Sequence, residues 1–214
     1  MLRKRGFFSS ATNIIIALDI VFFLIFFPIL IISKGSAVDL IAIKPENILQ
    51  GKYLWTFITS MFMHAGPFHL FANMFSLFFI GNLVERLIGK RRYVWFYILS
   101  GLAASIFFIL FSFIFKSDFT AYAVGASGSI FGIAGLLMIL TPNLPVFLMF
   151  IPIPVKMKYA VPILLIGLWL ISITGSIGIG NTAHLGGLIA GLVYGLYLKS
   201  KYPNKVMALN RYFR

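Results

Sequence analysis

Six apolar runs dominate the chain, separated by short polar intervals. They fall roughly at residues 11 to 32, 68 to 87, 93 to 115, 126 to 140, 158 to 173 and 182 to 198. A hydrocarbon core of ~30 Å needs about 20 helical residues to cross it, so the pattern predicts an all-α polytopic membrane protein built as a six-helix bundle. The reading divides the chain into a short basic segment 1–10, a membrane domain 11–198 and a basic tail 199–214. The first run is longer than a signal-peptide core and no small-x-small cleavage site follows it, so it reads as a retained helix. Pro152, Pro154 and Pro162 punctuate the approach to the fifth span.

Two intervals depart from this plain pattern. Residues 33–67 form a long connection with apolar patches at Leu40-Ile41, Tyr53-Leu54-Trp55 and Met61-Phe62-Met63, which predicts a segment lying on or in the membrane surface. The fourth span, from Gly125 to Leu140, would measure roughly 24 Å at ~1.5 Å per residue, short of the core thickness. Its start therefore falls below the membrane surface, and the Ala121–Gly125 backbone before it must be enclosed by protein or line a wet cavity.

Composition supports a membrane protein, since 60% of the 214 residues are hydrophobic. The formal net charge of +13 sorts by side when the spans are drawn. Arg3, Lys4, Arg5, Arg86, Lys90, Arg91, Arg92, Lys156, Lys158, Lys199, Lys201, Lys205, Arg211 and Arg214 fall together, opposite Lys34, Lys44, Lys52 and Lys116. The positive-inside rule then places both termini in the cytoplasm. Basic residues at helix ends fit topology and anionic lipid as a partner, the basic tail included, and do not form the aromatic-interleaved patch expected for nucleic acid. Absence of cysteine excludes disulfides and thiolate chemistry.

Polar residues in so apolar a chain carry information. In this topology His69 and Asn73, at i and i+4, sit early in the second span, Ser127 early in the fourth and His184 early in the sixth, all at one level. Gly128-x-x-x-Gly132 and Gly187-x-x-x-Gly191-x-x-x-Gly195 mark two helices able to approach closely, which would bring Ser127 and His184 together. A serine and an imidazole in reach support nucleophilic catalysis at a carbonyl, with His69, Asn73 and the Ser127 N–H typed as oxyanion donors. None of Asp19, Asp39, Glu46, Glu85 or Asp118 is placed by sequence beside His184, so a Ser-His dyad is expected, with Phe131 offering an aromatic face to the imidazole. Plain helix packing by the small residues is the competing explanation for each residue alone. A zinc site is disfavoured because His64 and His69 are five apart and no carboxylate or cysteine completes the set. The GxSxG elbow of soluble hydrolases does not fit, since Ser129 follows Gly128.

Gly125-Ala126-Ser127-Gly128, Ala183-His184-Leu185-Gly186-Gly187 with Gly191, and His64 with His69-x-x-x-Asn73 together closely resemble the signature of the rhomboid intramembrane serine proteases. The resemblance covers residues 11 to 198. It implies Ser127 as nucleophile, His184 as general base, His69 and Asn73 at the oxyanion hole and His64 as a supporting residue, with no cofactor. Glu85 and Gly89 match a Glu-x-x-x-Gly element of structural character. It further implies the minimal six-helix form in a prokaryotic cell membrane, transmembrane proteins as substrates, and entry between the second and fifth helices. Two positions depart from the family pattern: Thr56 follows Trp55 where arginine is common, which puts anchoring of the first loop in question, and Phe131 replaces a common tyrosine. A rhomboid-like binder of membrane clients without catalysis is the first rival, and a transporter the second, though the inverted repeat a transporter would show is not evident. Asp19, in the middle of the first span, has no role in this reading and must face the bundle or carry a proton.

Overall fold

The structure, a computed structural model, describes residues 9–148, 153–175, 178 and 180–213. Arg3, Lys4, Arg5, Pro152 and Arg214 lie outside the described residues. Among the described residues the regular elements are helices apart from one short antiparallel strand pair. Its elements are α1 (Ala11–Ile32), α2 (Pro45–Leu49), α3 (Thr56–Phe62), α4 (Pro67–Ile88), α5 (Lys90–Phe111), α6 (Lys116–Phe119), α7 (Ser127–Leu140), β1 (Pro145–Phe147), β2 (Pro154–Lys156), α8 (Met157–Gly175), α9 (Asn181–Lys201) and α10 (Pro203–Arg211).

The six long helices lie where the six apolar runs are, within a few residues. Among the described residues, α1, α4, α5 and α8 are long and apolar enough to cross a membrane; α7 is apolar but has 14 residues, and α9 is not among the four. The fold is that of a helical polytopic membrane protein. The start of α1 has a local reason for its position. Ser10 caps α1 by accepting the Asn13 N–H, and Glu85 of α4 accepts from the Ala11 and Thr12 N–H groups and from the Ser10 and Thr12 hydroxyls. The carboxylate thus satisfies the free donors of a helix start. This gives Glu85 the structural role that the sequence implied.

α7 occupies the centre, buried around most of its circumference, as a helix apolar on all faces should be. A Cβ on Gly187 or Gly191 of α9 would overlap the carbonyl oxygens of Gly128 or Gly132 on α7. Backbone therefore touches backbone along the two glycine ridges. On its other side α7 meets α5, where a Cβ on Gly128 would come 2.6 Å from the Ala104 Cβ. α1 buries only the stripe Ala11, Thr12, Ile15, Ile16, Asp19 and Phe23, while Leu18, Val21 and Leu24 remain exposed as an apolar outer face.

Three intervals differ from the sequence expectation. Within α4, residues Leu77–Gly81 form a π turn, so the helix is continuous but locally widened. The proline-rich stretch after α7 contains an antiparallel pair, Pro145–Phe147 with Pro154–Lys156, where no strand was expected. Met61 and Met63, expected at the membrane surface, are buried in the bundle, whereas Leu40, Leu54 and Trp55 of the same connection are exposed. The tail is not a free chain along its whole length either, since α10 folds back with Val206 buried, and Lys201 and Lys205 lie over the Tyr202 ring with Arg92.

Candidate active site

Ser127 is the first residue of α7 and His184 the fourth of α9. The glycine ridges hold these helix starts together, and the Ser127 Oγ lies 2.8 Å from the His184 Nε2. The Phe131 ring, one turn into α7, stacks on the imidazole with centroids 4.6 Å apart and planes 21° from parallel. His184 is buried, and its Nδ1 has no hydrogen-bond partner among the described residues. The pair therefore has two members, with the ring oriented by packing rather than by a carboxylate. A neutral imidazole at this distance can take the hydroxyl proton as the oxygen attacks a carbonyl.

Gly125 supplies the geometry in front of the serine. Its φ of 120° is a conformation that only glycine adopts readily. A Cβ there would also stand 2.8 Å from His69 Cε1 and 3.0 Å from its Nε2, so the His69 ring covers the glycine directly. The Gly125 N–H is tied to the Ser60 carbonyl at 2.8 Å, and Ile43 and Ala123 pair their backbones in both directions. The segment before α7 is thus hydrogen-bonded to the connection between α1 and α4, although Tyr122 stays exposed. Ser60 contributes through its backbone, which is why no sequence signal marks it.

His69 accepts the Ala65 N–H at Nδ1, which turns its other nitrogen toward Gly125. Asn73 donates to the His69 carbonyl one turn earlier, while its Oδ1 has no partner among the described residues. Its side chain is held in place, but one of its donors is committed to its own helix. His64 is fully buried and meets His69 edge-on, with ring centroids 5.2 Å apart at 67°. Burial, reinforced by His69 and opposed by the Phe62 carbonyl, holds His64 down to about 3, so it is neutral at ordinary pH. Asp118 was not expected near the site; its carboxylate accepts from the Thr182 hydroxyl, two residues before His184.

The Thr56 departure does not leave the first loop loose. The Trp55 indole donates to the Leu40 carbonyl, the Thr59 hydroxyl to that of Ile41, and Thr56 to that of Tyr53. Asn47 and Tyr122 both donate to Asp39, which joins the loop to the segment leading into α7. Between α4 and α8 lies a cavity of about 400 Å³, lined almost wholly by apolar side chains including Phe75, Phe79, Phe131, Val161 and Leu164. Phe131 thus touches both the cavity and the His184 ring.

Known proteins with similar sequences carry this geometry further. Residues 51–201 match the Rhomboid domain family. The chain is 31% identical over 202 residues to the rhomboid protease AarA of Providencia stuartii, covering 85% of this chain and 69% of that protein. It is 34% identical over 186 residues to the rhomboid protease GluP of Bacillus subtilis, covering 84% and 33%. It is 34% identical over 171 residues to the mitochondrial RHOMBOID-like protein 6 of Arabidopsis thaliana, covering 78% and 50%, so it spans about half the length of that relative. A family match over most of the chain, bacterial relatives named as proteases, and a helical membrane bundle agree with one another: the chain belongs to the rhomboid family.

Proposed function

We propose that the protein is an intramembrane serine endopeptidase that cuts membrane-protein substrates in or near their transmembrane segments. The observation that carries this reading is the 2.8 Å contact between Ser127 and His184 at the apposed starts of two helices. Ser127 Oγ attacks the scissile carbonyl as His184 Nε2 takes its proton, and the oxyanion is held by His69, Asn73 and the Ser127 N–H. Collapse of the tetrahedral intermediate expels the amine, which receives the proton from His184. Water then gives a proton to His184 and attacks the acyl group, and Ser127 leaves with that proton restored. Gly125 and Gly128 give the close backbone approach, Phe131 holds the His184 ring, and His64 supports His69.

The cavity between α4 and α8 supports lateral entry of an apolar substrate segment, because a side chain or strand seated there would lie against Phe131 beside the dyad. The clustering of basic residues at the opposite helix ends supports cytoplasmic termini and a site facing the outer side. The basic tail is a candidate contact for anionic lipid. A prokaryotic cell membrane fits the bacterial relatives named proteases.

The test is cleavage of a reconstituted transmembrane substrate by the wild type, Ser127→Ala and His184→Ala, with fluorophosphonate labelling alongside. Loss of cleavage and labelling in both variants is expected. Turnover that persists in Ser127→Ala would sink the assignment, and a wild type that neither cleaves nor labels would favour a client-binding protein.

A further inference from the structure

Asp19 is the one buried carboxyl group that the proposed reaction leaves without a task. It lies in the middle of α1 on the stripe facing the bundle, fully buried. Its Oδ1 is 3.9 Å from the Nδ1 of His64, itself fully buried. Among the described residues, both Asp19 oxygens, both His64 ring nitrogens and the hydroxyls of Tyr93 and Tyr97 lack a hydrogen-bond partner of good geometry. A buried polar group without a partner destabilises a fold, so a leucine at position 19 would serve better if the residue only filled space.

The separation is too long for a direct hydrogen bond and suits a shared water. Clusters of buried polar atoms are where proteins hold such water. From this pair a chain of contacts runs to the site. The His64 ring stands edge-on against His69, His69 is fixed at its Nδ1 by the N–H of Ala65, and the other side of His69 covers Gly125 in front of Ser127.

We propose that Asp19 is a positioning residue for the Ser127 site: through a shared buried water it holds the His64 ring, and His64 sets the face that His69 presents over Gly125. This inference rests on the protease reading for its effect on turnover, but not for the linkage itself. Asp19→Asn retains a hydrogen-bonding side chain of the same size, whereas Asp19→Leu removes it without opening a cavity.

Two measurements test the proposal. In reconstituted protein, Asp19→Leu and His64→Leu are each expected to lower kcat about tenfold or more with KM unchanged, Asp19→Asn to keep most of the activity, and the Asp19→Leu/His64→Leu pair to be no worse than either single change. A merely structural Asp19 predicts the reverse, with unaltered turnover and equal or higher thermal stability in Asp19→Leu. Additive losses would also overturn the linkage. The second measurement needs no turnover: in protein labelled at the histidine ring nitrogens, the His69 resonances should shift in Asp19→Leu and stay near their wild-type positions in Asp19→Asn. Unmoved His69 resonances in Asp19→Leu refute the proposal. A His69 shift in Asp19→Leu, found in a protein whose wild type fails to cleave, would instead count against the protease reading and leave the linkage standing.

Discussion

The phenyl ring of Phe131 lies nearly flat on the imidazole of His184, with centroids 4.6 Å apart. Because Phe131 is one turn beyond Ser127, a single helix presents the hydroxyl and also orients its partner ring. In the proposed dyad, with no partner at His184 Nδ1 among the described residues, this stacking would carry the orienting task that a carboxylate performs in a triad. Aromatic pairs contribute about 0.5–1.5 kcal/mol beyond burial, so Phe131→Ala should lower kcat by roughly two- to twelvefold, with Phe131→Tyr close to the wild type. An alanine variant with undiminished kcat would remove Phe131 from the site.

Contact between α7 and α9 depends on missing side chains. Gly191→Ala would drive a methyl group into the Gly132 carbonyl, and backbone cannot step aside as a flexible side chain can. A cost of about 1–3 kcal/mol is expected in detergent unfolding, with a parallel loss of fluorophosphonate labelling as Ser127 and His184 separate. Gly167→Ala on α8 is the control, since nothing lies within 4 Å of its added methyl. Equal effects from the two substitutions would contradict this account.

Glu85 joins α4 to the start of α1 by bonds to two N–H groups and two hydroxyls. Glu85→Ala removes all four acceptor contacts and should destabilise the fold by about 1–3 kcal/mol. Amide exchange at Ala11 and Thr12 should accelerate more than exchange in α9. Uniform acceleration throughout the bundle would argue that the effect is not local to α1.

Asp118 provides a pH signature outside the long helices. Burial raises its carboxyl above the ordinary value of 3.8, with the Thr182 hydroxyl bond opposing the rise. For a raised group, the stabilising contribution is complete below the ordinary value and is lost as pH climbs through the folded value. Asp118→Asn should therefore be the more stable protein at pH 7, with its advantage vanishing below about pH 4. Melting temperatures across that range decide the matter, and an advantage independent of pH would exclude titration of Asp118 as the cause.

Much of this architecture could be read along the chain because it depends on local, repeating properties. Apolar runs near the length of a bilayer crossing set the six long helices, and the glycine spacing of Gly128, Gly132, Gly187, Gly191 and Gly195 identified which two would touch. With that contact given, the 2.8 Å approach of Ser127 to His184 follows from their places at the helix starts. Asp19 was visible as an anomaly, a carboxyl in the middle of an apolar run, but its neighbour was not.

Only the tertiary structure decided the remaining relationships, because each rests on a geometry that no residue type signals. Asp19 meets His64 because α1 turns one narrow stripe inward; the rotation of a helix that is apolar on all sides cannot be read from its hydrophobic pattern. Met61 and Met63 are buried while Leu54 and Trp55 stay exposed, since side chains of like hydrophobicity are sorted by packing once the connection folds against the bundle. The β1–β2 pair and the Ser60 carbonyl that holds Gly125 rest on backbone hydrogen bonds, which every residue can make and which only the folded chain assigns.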